Sequence, residues 1–277
     1  MELMDFVKGI GVGGPVGTMV DPRETLRFLE FLPDVEWFQG YVVLLLIRSK
    51  NLKEKYGFKG SDRSLSLHVV PGYYDNPKFK LYMVLRRYAV LHEFSSELYV
   101  YERHVGDGIE YYRIPTELVA LRVSPNPTDW VRAEVDTINE VVLSLRDAVF
   151  NPGRADDIVR RIDVQFCANA MKHTRHVFHM IDVDEWSIVK DVETYVQELL
   201  GYMPARIVTK NGEHLLIKVS SFDRDTAKRW FGHIRDYVNE VNEVYGEEVV
   251  EYKKNFQEPV PGVKYCDIVP RFYPSER

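Results

Sequence analysis

The order of apolar and polar positions divides the chain into readable elements. "DPRETLRFLEFL" opens a helix: Asp21 offers an acceptor to the first free backbone N–H groups, Pro22 suits the first helical position, and Glu24 falls in the first turn. "GYVVLLLIRSK" is an unbroken apolar run up to Arg48, the pattern of a central strand buried on both faces. Further apolar or aromatic stretches cover 37–47, 64–70 and 79–91. "ELYVYERHVGDGIEYYRI" alternates about Asp107-Gly108 and predicts a hairpin, and "ELVALRVSPNP" predicts a strand ending at Pro125. "TDWVRAEVDTINEVVLSLRDAVF" predicts a long amphipathic helix with its apolar stripe at Val131, Val135, Ile138, Val142 and Leu145. "NPGRADD" at 151–157 breaks the pattern. It divides an α/β module over 1–155 from a second module over 156–277. The early "GIGVGGPVG" lacks the strand before and the helix after that a dinucleotide loop needs, and reads as a flexible lead-in.

The second half is more regular. "VFHMIDVD" (177–184) predicts a strand, and "WSIVKDVETYVQELLGY" a helix with Ser187 as cap and Gly201 as stop. "ARIVTK" and "HLLIKVS" predict two strands joined at Asn211-Gly212. "DRDTAKRWFGHIRDYVNEVNEVYG" predicts a second long helix, and "VKYCDIVP" (263–270) a last strand. The resulting β-α-β-β-α-β order is the split βαβ pattern of ferredoxin-like domains. Right-handed crossovers then set the first strand between the third and fourth. By alternation His179, Ile181, Val183, Leu215, Ile217, Val219, Cys266 and Ile268 face the helices. Asp182, Asp184, His214, Leu216, Lys218 and Asp267 face the other way, so three carboxylates and a histidine meet on the open face.

Composition narrows the partners. The chain has 277 residues and a net charge of −6, which disfavours broad coating of nucleic acid but leaves room for a local basic groove. Basic residues cluster at Lys53, Lys55, Lys59 and Arg63, at Arg86 and Arg87, and at Lys172 and Arg175 just before the aspartates; the last two are candidates for contact with a nucleic-acid backbone. Two cysteines, Cys167 and Cys266, rule out a disulfide framework or an all-cysteine zinc site. No run approaches the roughly 18 apolar residues that span a membrane. The first residues lack the charge and apolar core of a signal peptide. The expectation is a cytoplasmic protein without a membrane partner.

Carboxylates within about 4–6 Å of each other raise one another's pKa unless a cation neutralises them. Oxygen-only ligand sets favour Mg²⁺ or Mn²⁺, and paired ions are the usual device for in-line attack at phosphorus. A nearby histidine and lysine suit nucleotide phosphates. The plain alternative is that an acid-x-acid pair at a strand end merely caps a loop. "HTRHVFH" spaces His173, His176 and His179 by three, but His179 points inward and reads as a hydrogen-bonded core histidine.

"HMIDVDEW", "PARIVTKNGEHLLIKV" and "YCDIV" together resemble the catalytic core of the archaeo-eukaryotic primase superfamily, which includes primases and primase–polymerases. Its motifs are an acidic-x-acidic pair ending a strand, a small-x-histidine motif opening a strand, and a hydrophobic-Asp in a later one. The resemblance covers about residues 177–270. It implies that Asp182, Asp184 and Asp267 are catalytic and ligate two Mg²⁺ or Mn²⁺ ions. His214 would contact the phosphates of the incoming nucleotide, with Thr209, Lys210, Asn211, Lys218 and Arg271 completing that site. The implied activity joins nucleoside triphosphates to a 3′-hydroxyl on a DNA or RNA template and primer, releasing pyrophosphate. Lys210 stands where the family usually has glycine, Glu213 adds an acid beside the histidine, and "LRVSPNPTDW" has Thr128 in place of an arginine. These departures leave room for a weakened member. Other readings of the same residues are a palm-type nucleotide cyclase, a metal-dependent nuclease, and a non-catalytic ferredoxin-like module that binds single strands. Protein partners are not legible in the sequence.

Overall fold

The computed structural model describes residues 2–57, 63–94, 100–105, 108–113, 118–151, 155–222, 224–265 and 267–275. The tip of the predicted hairpin at Asp107, together with Lys59 and Cys266, lies outside these residues. A short α1 (Leu3–Gly9) buries Leu3 and Val7. Beyond it Val16 bridges to a fully buried Met19, so the glycine-rich segment is anchored and not a loose lead-in. In α2 (Pro22–Phe31) the Asp21 carboxylate accepts the N–H groups of Arg23 and Glu24, with Pro22 at the first position.

β1 (Gln39–Ile47) is buried along its whole length, as its unbroken apolar run requires. After α3 (Ser49–Tyr56) come β2 (Arg63–Pro71), α4 (Pro77–Phe94), a hairpin of β3 (Val100–Val105) with β4 (Gly108–Arg113), and β5 (Val119–Val123). β1 lies antiparallel between β2 and β5, with the two-residue β6 (Thr128–Asp129) on its beginning. A helical hairpin follows, α5 (Trp130–Phe150) and α6 (Ala155–Lys172). Phe166 and Ala170 of α6 pack with Ala133 of α5 and with Leu67 and Val69 of β2.

The second half contains β7 (Phe178–Val183), α7 (Val189–Leu200), β8 (Ala205–Val208), β9 (Glu213–Lys218), α8 (Arg224–Tyr245), β10 (Val250–Lys253), β11 (Glu258–Pro259) and β12 (Arg271–Tyr273). Its sheet runs β10-β7-β9-β8-β12, antiparallel throughout. Two details of the expected order change. The cap before α7 is the Glu185 carboxylate, which accepts the Ser187 N–H at the start of a 3₁₀ turn; Gly201 ends the helix in the left-handed region at φ 75°. The strand beside β7 is β10, and not the segment 263–270. Pro261-Gly262 and Pro270 bracket that segment into a loop, held by single bridges from Val263 to Met19 and from Tyr265 to Ile268.

The chain is therefore a mixed α/β protein with two antiparallel sheets, each with helices packed against it. Among the described residues no helix is long and apolar enough to cross a membrane. One face of β7 and β9, with Ile181, Val183, Leu215 and Ile217, packs on Val192 and Val196 of α7 and on Trp230, Ile234 and Val238 of α8. Met180 and Leu216, on the other face, join Ile207, Phe272, Val43, Leu45 and Leu121 in a core shared with the first sheet. The halves are also threaded together: β11 extends the first sheet through β5, and β12 returns to β8.

Candidate functional site

Alternation along β7 sends Asp182 away from α7 and α8, towards the first sheet. In register it stands opposite His214 of β9 on one side and Glu251 of β10 on the other. His214 Nε2 lies 3.2 Å from Asp182 Oδ1, and His214 Nδ1 lies 2.5 Å from Oε2 of Glu258, a fully buried residue on β11. Lys253 Nζ donates to Asp182 Oδ2 at 2.6 Å and also contacts Glu251 at 2.6 Å. The result is a ladder of alternating charge, Glu258–His214–Asp182–Lys253–Glu251.

Burial disfavours the charged form of His214, yet Glu258 and Asp182 outweigh that penalty and hold its pKa well above the usual value. Burial likewise opposes ionisation of Asp182, but the His214 hydrogen bond and charge, with Lys253, drive its pKa well below the carboxylate range. The positive charge that two neighbouring aspartates need is here supplied in part by the protein itself.

Asp184 follows β7, is exposed, and fixes its backbone through its N–H to the Val249 carbonyl. The connection between β8 and β9 folds directly over it. Thr209 N–H bonds to the Gly212 carbonyl, and Trp186 Nε1 donates to the Lys210 carbonyl. A Cβ on Gly212 would stand 1.8 Å from the Val183 carbonyl oxygen. Gly212→Ala is therefore expected to force this turn off the end of β7 and to cost about 1–3 kcal/mol. The midpoint of urea unfolding measures it, and an unchanged midpoint would show that the turn yields freely.

Between the two sheets lies a cleft of about 320 Å³, bordered by Asp182, Asp184, Glu251, His214, Lys210 and Asn211 on one side. The opposing wall comes from the first half: Arg48 at the end of β1, Lys50 and Glu54 of α3, and Arg122 of β5. Arg122 Nη1 donates to the Gln257 carbonyl at 2.8 Å. Its pKa is lowered first by burial and then by the neighbouring Arg48 charge, with Glu258, Tyr265 and Asp182 offsetting part of the effect. Arg48, Arg122, Phe256 and Gln257 also border a second cavity of about 450 Å³, which runs beneath α6 along Val42, Leu44 and Leu46.

Of the residues singled out in the sequence, Asp182, Asp184, His214, Thr209, Lys210 and Asn211 border this cleft. Asp267 does not: it sits in the turn between Tyr265 and Ile268, exposed to solvent. The acids that take its expected place are Glu251, opposite Asp182, and Glu258, on His214. Lys218 is exposed at the far end of β9, opposite Phe178, and roughly 13 Å along the strand from His214. Arg271 is exposed on the outer strand β12. Neither borders the cleft.

Lys172 is drawn to Glu140 and Asn169, while Arg175 is exposed in the link to β7. His173 pairs with Asp136 at 2.7 Å, and His179 hydrogen-bonds to Tyr252 with its pKa lowered to about 4 by burial and by His176. It is the neutral core histidine expected from its inward position. Asn126 is buried and clamps the start of β7, accepting the N–H groups of Val177 and Phe178 and donating to the Phe178 carbonyl. Among the described residues, no three His, Cys, Asp or Glu side chains are gathered into a ready metal-binding cluster; Lys253 holds two of the carboxylates instead.

The chain matches no family model, and no curated protein or solved structure is significantly similar to it.

Proposed function

We propose that this protein is a template-dependent nucleotidyltransferase of the primase–polymerase type, acting in the cytoplasm on nucleoside triphosphates and a DNA or RNA template and primer. In this reading the β7–β10 unit is a ferredoxin-like catalytic module, since its strands lie in the order fourth, first, third, second. The observation that carries the proposal is the convergence on one cleft of an acid-x-acid pair, a strand-opening histidine and an acid on the neighbouring strand, facing a basic wall.

The donor chemistry fits a divalent cation. Asp182, Asp184 and Glu251 offer only oxygens, and the buried Asp182 Oδ1 has only the His214 imidazole, 3.2 Å away, beside it among the described residues. These three residues, with Glu251 in the role expected of Asp267, would hold two Mg²⁺ or Mn²⁺ ions. Bound there, such ions supply charge neutralisation at the phosphorus and activation of the attacking hydroxyl. The chain's own residues do the rest. Protonated His214, fixed by Glu258, presents positive charge beside Asp182, and Arg48, Lys50 and Lys210 attract the triphosphate. Lys253, now 2.6 Å from both Asp182 and Glu251, would have to give up these contacts for an ion to be held there.

A second reading follows from the same ladder. Because His214 and Lys253 already neutralise Asp182, the cleft would serve as a metal-free phosphate-binding site in a non-catalytic module. Extension of a labelled primer with each nucleotide set and Mn²⁺ separates the two. Extended product is expected. Nucleotide binding without any product favours the second reading, a cyclic product from nucleotide alone favours a cyclase, and loss of label from the primer favours a nuclease.

A further inference from the structure

α5 has two faces with different chemistry. Ala133, Thr137 and Ala148 form the buried one, towards α6, where Asn169 donates to Thr137 and Glu140. The larger apolar residues lie about 120° around the helix from it. Val131, Val135, Ile138, Val142, Leu145 and Val149 are separated alternately by four and three residues, a heptad seam over nearly the full helix. This is the stripe that the sequence marks as the helix's apolar face, and from Val135 onward the fold leaves it uncovered. Val135 is 52% exposed, Ile138 60%, Val142 58%, Leu145 45% and Val149 75%; Leu143 and Phe150, also exposed, lie about 110° from the seam. A helix that packs on a globular core carries a broader apolar stripe, whereas a strict two-in-seven seam is the signature of pairing with another helix.

We propose that α5 is a homodimerisation helix that pairs in parallel with α5 of a second copy of this chain. The seam is self-complementary. Valine occupies one set of core positions throughout (135, 142 and 149), the β-branched choice found at that position in parallel pairs, with Val131, Ile138 and Leu145 at the other.

The flanking charges select the same orientation. In a parallel pair Glu134 faces Asn139 of its mate and Val141 faces Arg146, with no like charges opposed; an antiparallel pair sets Arg132 against Arg146. The five exposed seam side chains form the apolar centre of a small interface, below the ~800 Å² per partner of a standard one. α6 lies on a different side of α5 and does not obstruct the seam. The proposal is independent of the chemistry assigned to the cleft.

The full chain is to be examined by light scattering and sedimentation from about 1 to 100 μM, the range in which a micromolar or tighter dimer is populated. Twice the chain mass is expected, falling to the chain mass in the Ile138→Glu/Val142→Glu variant with helicity retained, since neither side chain is buried within its own chain; the thermal midpoint falls only by what the dimer contributed and no longer depends on protein concentration. Val142→Cys tests the orientation: opposed across a parallel seam, the two thiols are expected to form a cross-linked dimer on oxidation, which the unmodified chain does not form. A wild-type monomer at 100 μM overturns the proposal, including one that instead captures a helix of another protein. So does a dimer that the double glutamate variant leaves intact. A dimer broken by that variant but refractory to the Val142→Cys cross-link overturns the parallel arrangement.

Discussion

Asp182→Asn is expected to lower nucleotidyl transfer by at least about 10³-fold. The reasoning is one of charge. If the cleft binds divalent ions for phosphoryl chemistry, Asp182 is the most enclosed of its acids and the one aligned with both neighbouring strands. Ion-assisted stabilisation of the transition state amounts to several kcal/mol, and each ~1.4 kcal/mol is a factor of ten in rate. Asparagine keeps the shape and removes the charge.

The same change also strands His214 and Lys253, so loss of activity alone does not distinguish catalysis from folding. Asp184→Asn makes the distinction. Asp184 is exposed and no side chain is bonded to its carboxylate among the described residues, so its neutralisation is expected to leave the unfolding midpoint within about 0.5 kcal/mol while abolishing transfer to a similar degree. Single-turnover primer extension, read beside urea unfolding of both variants, is the measurement. A fully active, normally folded Asp184→Asn protein would remove the acid-x-acid pair from the chemistry.

How much of this was legible in the sequence depends on the range over which each signal acts. The split of β7 into a helix-facing and a cleft-facing side follows from period-2 alternation, and the structure places Ile181 and Val183 on one side and Asp182 on the other as that period requires. The cleft-facing position of His214 on β9 was readable for the same reason, although the strand opens one residue earlier, at Glu213. The fourth strand was not. "VEYK" is four residues long with charge at two of them, while "VKYCDIVP" shows a stronger local strand pattern; proline and glycine on either side of it, and pairing with distant Met19, turn it into a loop.

Glu258 lies beyond any local signal. Its strand is two residues long, and its meaning comes from His214, 44 residues earlier in the chain. The basic wall of Arg48 and Arg122 is hidden in the same way, because one reads as the polar end of an apolar run and the other as a single charge within a strand. On α5 the periodicity was legible but its destination was not. Small residues satisfied the intramolecular contact, and the large apolar ones were left facing outward.

The other large effect concerns stability, and it turns on Glu258. This carboxylate is fully buried, and its Oε1 has no hydrogen-bond partner among the described residues, so the ion pair of Oε2 with His214, with the nearby Arg122 charge, compensates it. Removing one partner of a buried ion pair leaves the other charge uncompensated, at a cost of about 3–5 kcal/mol. His214→Ala is expected to lower the stability of the protein by that amount in equilibrium denaturation, and Glu258→Gln in the same background is expected to restore much of it.

The pH dependence gives a second, independent reading of the same contact. The folded pKa of His214 is raised above its unfolded value of about 6.5, so its contribution is fully present below that value. It is lost as pH rises through the folded pKa of about 10. Asp182 runs the other way. Its lowered pKa contributes above about 3.9 and is lost as pH falls towards its folded value. Wild type minus His214→Ala should therefore show a stability difference that shrinks from neutral to strongly alkaline pH, with no compensating rise in between. A difference that stays flat across that interval would mean that His214 is neutral in the folded protein and that Glu258 is held by something other than its charge.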